Sequence, residues 1–153
     1  MLAANGFIVS GFKDDMKEKL FCLWMNSSIG LSLLLSKATV TRGSWIYMDK
    51  FMIDRLPIPD MNRLSGEDWA LVGDLWKAVS QIRLVSLFDQ LRTDNSFRAK
   101  LDDGILRLLG VLRDDDRAKI ATIVRTGILE AILALKQTME PGEAAEEAED
   151  KDE

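Results

Sequence analysis

The stretch from Lys37 to Lys50, KATVTRGSWIYMDK, sets three cations, Lys37, Arg42 and Lys50, against one acid, Asp49. Thr39, Thr41 and Ser44 add hydroxyls, Trp45 and Tyr47 add aromatic faces, and Gly43 stands in the middle. Arginine and threonine side chains contact phosphates, and the planar arginine fork also reads base edges. Gly43 lets the backbone approach a ligand closely. Lys37, Thr39, Thr41, Arg42, Gly43, Ser44, Trp45 and Lys50 are therefore the candidate nucleic-acid-contacting residues. Three cations are few for a phosphate-binding face, and the same residues also describe a surface hairpin with Trp45 packed inward.

Other chemistry is scarce. The chain has no His and one Cys, which excludes His-based acid–base catalysis, Ser-His-Asp triads, His-ligated zinc and an internal disulfide. No Gly-x-Gly-x-x-Gly or Walker-type loop is present. Asp114, Asp115 and Asp116 crowd a helix start, where carboxylates suit the positive dipole end and face solvent; Asp102-Asp103 has the same explanation. Cys22, among Leu20, Phe21, Leu23 and Trp24, reads as an inert core thiol. No catalytic, metal or cofactor site is expected in this chain.

These residues need a scaffold, and 153 residues at 47% apolar and 29% charged suffice for one domain with an appendage. The net charge of −5 misleads, because residues 140–153 alone carry eight carboxylates and one Lys. That leaves residues 1–64 at +2 and residues 65–139 at zero. The tail EPGEAAEEAEDKDE lacks large apolar side chains, and its like charges predict disorder. The first residues have no basic start or long apolar run, so no secretory signal is expected. Leu20 to Leu35 is broken by Asn26, Ser27, Ser28, Gly30 and Ser32 and falls short of a membrane span. A cytoplasmic protein without a membrane partner is the expectation.

Gly6 to Gly11 reads as a short strand between glycines. Asp14 or Asp15 caps a helix whose Leu20, Leu23, Trp24 and Ser27 share one face. Asn26-Ser27-Ser28 interrupts it and caps a second helix, apolar nearly all round, through Leu35. Thr39 to Thr41 and Trp45 to Met48 favour strands about Gly43. Leu56-Pro-Ile-Pro59 is stiff and extended. Ser65-Gly-Glu-Asp68 has capping-box form, and apolar spacing from Trp69 through Phe88 predicts one helix to about Leu91. Asp94 or Ser96 starts another helix, which Gly110 stops; a last helix ends at Pro141.

Three motifs recur in order: Glu18 to Leu35 with its Asn26-Ser-Ser-Ile-Gly30 step, Thr41-Arg-Gly-Ser-Trp45, and Leu56-Pro-Ile-Pro59. Together they resemble the C-terminal part of N6-adenine DNA methyltransferases of restriction-modification and phage-defence systems, over roughly residues 16–60. Phe97-Arg-x-Lys-Leu-Asp-Asp103 up to Leu109-Gly110 is similar to that family's helical end. The resemblance implies the end of a target-recognition region with DNA contact by the Thr41–Trp45 segment, and a helical C-terminal extension. Lys37, Lys50 and Arg55 join by charge and proximity alone. The family's cofactor-binding Gly motif and its Asn/Asp-Pro-Pro-Tyr/Phe loop are missing. S-adenosylmethionine, the parent family's cofactor, is thus not expected to bind here; the resemblance implies a truncated or split enzyme.

The expected fold is α+β, mostly α: a small strand-helix-strand unit, a three-helix segment and a disordered acidic tail, divided at 1–64, 65–139 and 140–153. The expected function is DNA recognition for an adenine-N6 methyltransferase, with double-stranded DNA and a catalytic domain or subunit as partners. The alternative is a helical module docking on a methyltransferase or restriction subunit without DNA contact. As a truncated unit, it is expected to leave Phe7, Ile8 and Leu31 to Leu35 exposed.

Overall fold

The computed structural model describes residues 13–37, 39–40, 46–47, 53–92 and 95–139. Six helices account for most of them: α1 (Asp15–Asn26), α2 (Ser28–Lys37), α3 (Gly66–Val79), α4 (Leu87–Arg92), α5 (Ser96–Leu108) and α6 (Asp114–Met139). Two short strands, β1 (Thr39–Val40) and β2 (Ile46–Tyr47), pair antiparallel with Thr39 opposite Tyr47. No single helix among the described residues is long and apolar enough to cross a membrane.

The architecture is therefore all-helical, which corrects the α+β expectation. Two residues per strand make no layer that a helix could pack on. Among the described residues no helix lies between β1 and β2, so no strand-helix-strand unit is seen there. The expected strand at Gly6–Gly11 and the expected disordered tail lie outside the described residues.

Local sequence accounts for most helix ends. The Asp14 carboxylate accepts from the Met16 and Lys17 amides at the start of α1. Ser65 and Asp68 close the expected capping box at α3. Asn95, rather than Asp94 or Ser96, caps α5 by accepting from the Arg98 amide. Gly110, at φ 84°, ends α5: its own amide bonds the Arg107 carbonyl and that of Val111 bonds the Leu106 carbonyl. Those two bonds make a Schellman ending.

The single helix expected to run to Leu91 is two. α3 stops at Val79, and α4 begins after Ser86, whose hydroxyl accepts from the Asp89 amide and donates to its carboxylate. Ser86-x-x-Asp89 repeats the form of Ser65-x-x-Asp68, a start signal that the apolar spacing of Ile82, Val85 and Phe88 masked. Val85 is 52% exposed and contributes nothing to a core stripe.

One core joins the chain on both sides of Ser65. Leu20, Leu23 and Trp24 of α1 pack with Val72, Leu75 and Val79 of α3 and with Phe97, Leu101 and Ile105 of α5. A second cluster sets Leu31 and Leu34 of α2 against Leu91 and Ile128. This corrects the expected exposure of Leu31 to Leu35: α6 and α4 cover Leu31 and Leu34, and Leu33 and Leu35 are half-buried. Each such leucine removed from water contributes about 1.5–3 kcal/mol. Phe7 and Ile8 lie outside the described residues.

Candidate functional site

The candidate segment begins at Lys37, the last residue of α2, so how α2 is held fixes where it starts. α1 and α2 meet at a 70° bend around Ser27. The Ser27 hydroxyl donates to the Trp24 carbonyl at 2.7 Å and accepts from the Gly30 amide at 3.1 Å. Ser27 thus serves both helices, the capping role expected of the Asn26-Ser27 step; Asn26 donates its side-chain amide back to the Cys22 carbonyl. Any Cβ at Gly30 would overlap the Trp24 carbonyl oxygen, so only glycine permits this bend.

Helix α5 clasps the bend from behind. Asp102 accepts from both the Ser28 amide and the Ser28 hydroxyl, each at 2.7 Å. A carboxylate there opposes the positive dipole end of α2. One turn earlier, Arg98 donates to the Asn26 carbonyl at the negative end of α1, and to the Gln90 side chain at 2.6 Å. Gln90 in turn donates to the Val85 carbonyl, which ties in the turn before α4. Arg125 of α6 stands 3.9 Å from Asp102 on its other side.

Asp102 is 1% exposed, which corrects the solvent-facing role expected of Asp102-Asp103. The doublet divides: Asp103 faces outward and bonds Arg117 at 2.5 Å. Burial pushes the Asp102 carboxyl up from its ordinary value, against the Ser28 bonds and the Arg98 and Arg125 charges that pull it down. Burial likewise lowers Arg98, with Asp102 opposing and Arg125 adding to the shift. Among the described residues the Arg98 Nε has no hydrogen-bond partner. Burial and the nearby Glu18 charge raise the Cys22 thiol, which disfavours the reactive thiolate.

A second tie fixes the proline element. The Trp24 indole donates to the Pro57 carbonyl at 3.1 Å, so Leu56–Pro59 is anchored to α1.

Of the candidate residues, Lys37 is the exposed last residue of α2, and Thr39 opens β1. Thr41, Arg42, Gly43, Ser44, Trp45 and Lys50 lie outside the described residues. Asp114 bonds Arg117, and Asp116 stands 3.8 Å from Arg113. No group of three or more potential ligands among the described residues is placed to hold a metal ion.

Sequence reasoning missed Asp102, Arg98 and Gln90. Nothing in their local spacing marks them as buried. Comparison with protein families, with curated proteins and with solved structures finds no match for the chain.

Proposed function

We propose that this chain is a C-terminal DNA-recognition module of an adenine-N6 DNA methyltransferase. It grips the duplex with the segment from Lys37 to Lys50 and depends on a catalytic domain elsewhere. The observation that supports this reading is the joint at Ser28. The Asn-Ser-Ser-x-Gly step and the Arg-x-x-x-Asp run, the stretches that carry the resemblance, meet there across 74 residues. Motifs that serve one buried joint belong to one structural unit. Trp24 and Pro57 tie the third motif to the same corner. Lys37, Arg42 and Lys50 contact phosphates in this reading, and Arg42 reads a base edge.

A band-shift titration of the full chain against duplex DNA tests it. Affinity falls steeply from low to moderate salt, and Arg42→Ala lowers both the affinity and the log–log salt slope, by about one unit. Affinity indifferent to salt and to Arg42→Ala sinks the proposal.

A second reading draws on Leu112 and Ile123, which are 84% and 71% exposed. In it the helices dock on a methyltransferase or restriction subunit and Lys37, Arg42 and Lys50 touch no DNA. Co-purification with such a subunit, undisturbed by Arg42→Ala and lost in Ile123→Asp, distinguishes it.

A further inference from the structure

A cleft of about 780 Å³ opens between α5 and α6, on residues the DNA-recognition reading leaves unused. Its α5 wall runs from Ala99 to Arg107, two helical turns or about 12 Å. Ala99, Ala118 and Ala121 line it with small side chains and keep it open. Arg107 and Arg125 line it with charge.

The charges around this cleft do not balance. Arg117 is spent: it donates to Asp103 and Asp114 at 2.5 Å each and to the Val111 and Leu112 carbonyls. Both cleft carboxylates are thereby engaged by one guanidinium. Behind the wall, Arg98 and Arg125 share the single carboxylate of Asp102. Four arginines thus face three aspartates, one positive charge in surplus. Arg125 is 17% exposed and spends its Nε hydrogen on the Ala121 carbonyl. No bond among the described residues takes its two terminal amino groups. Arg107 has no ion pair or side-chain hydrogen bond among them.

We propose that the α5–α6 cleft binds a phosphate group through the guanidinium groups of Arg107 and Arg125. Two oxygens of a tetrahedral phosphate accept together from the planar fork of an arginine, and the phosphate charge offsets the surplus. The cleft is far larger than one phosphate, so the group is carried on a bigger ligand, either a nucleic-acid strand or a free phosphate ester.

The test is calorimetric titration of the full chain with inorganic phosphate, at ionic strength held constant with chloride. The wild type binds phosphate saturably, and Arg107→Gln and Arg125→Gln each weaken it about tenfold or more. Lys77→Gln, on the exposed face of α3, leaves it unchanged. Arg107 is exposed, and Arg107→Gln breaks no ion pair or side-chain hydrogen bond among the described residues, so it keeps the fold and makes the result decisive. Phosphate binding no stronger than chloride, or intact in Arg107→Gln, overturns the proposal. Duplex DNA then separates the sources: a salt slope reduced by about one unit in Arg107→Gln assigns the phosphate to a strand. An unchanged slope with phosphate binding lost assigns it to a free ester and rejects the strand. Arg42→Ala leaves phosphate binding intact, so failure of the DNA-recognition reading and failure of this one are told apart.

Discussion

Arg98 and Asp102 stand one turn apart on α5 and serve opposite helix ends at the same bend. Arg98 donates to the Asn26 carbonyl where α1 ends, and Asp102 accepts from the Ser28 amide where α2 begins. The cation meets the negative dipole end and the anion the positive one. One helix therefore sets the angle between two others, and with it the direction in which Lys37 leaves the core.

Removing one partner of this joint leaves the others buried and unpaired. Asp102→Ala strands Arg98 and Arg125 beside an uncapped Ser28 amide, a loss of about 3–5 kcal/mol. Asp102→Asn keeps an acceptor and costs less. Chemical denaturation of the two variants checks the order; equal stability of Asp102→Ala and wild type rules the joint out as a structural element.

The two capping aspartates respond to pH with opposite sign. Burial raises Asp102 in the folded state, so the folded chain holds that proton more tightly than the unfolded one. Its contribution is greatest below the ordinary carboxylate value of 3.8 and declines as pH rises from there to the folded value. Asp68 is lowered by its Ser65 backbone and hydroxyl bonds, so its contribution is present above 3.8 and lost as pH falls through the lower folded value. Stability measured from pH 2 to pH 7 separates them. The advantage of wild type over Asp102→Asn shrinks with rising pH, and that over Asp68→Asn grows.

Gly30 and Gly127 make a matched pair. Gly30→Ala drives a Cβ into the Trp24 carbonyl and forces the bend open, costing about 3 kcal/mol or more. Gly127 sits in the exposed middle of α6 with nothing near its Cβ position. Gly127→Ala there gains about 0.5–1 kcal/mol from backbone entropy. Thermal unfolding reads both, and a neutral Gly30→Ala contradicts the described geometry.

Trp24→Phe keeps most of the buried ring and deletes the indole donor to Pro57. The expected cost is about 1 kcal/mol. If the tie anchors Leu56–Pro59, the same variant increases amide exchange around Leu56; exchange unchanged there argues that other contacts hold the segment.

Much of this protein is local. Asp14, Ser65-x-x-Asp68 and Gly110 mark helix ends by short-range bonds, and the Asn26-Ser27-Ser28 break is legible because its hydroxyls compete for backbone hydrogen bonds. Periodicity identifies the apolar faces of α1 and α3. What periodicity cannot supply is how far an apolar stripe extends as one helix, and Ile82, Val85 and Phe88 continue the pattern across a real break. Only packing shows that Leu31 and Leu34 are covered, because Leu91 and Ile128 arrive from far along the chain. The fate of Asp102 is decided in the same way. An aspartate beside a second aspartate reads as a solvated pair until α5 is docked. Burial then separates them: Asp102 finds two donors on Ser28, and Asp103 turns to Arg117. Caps and stripes follow from neighbours in sequence, whereas the pairing of buried charge follows from neighbours in space.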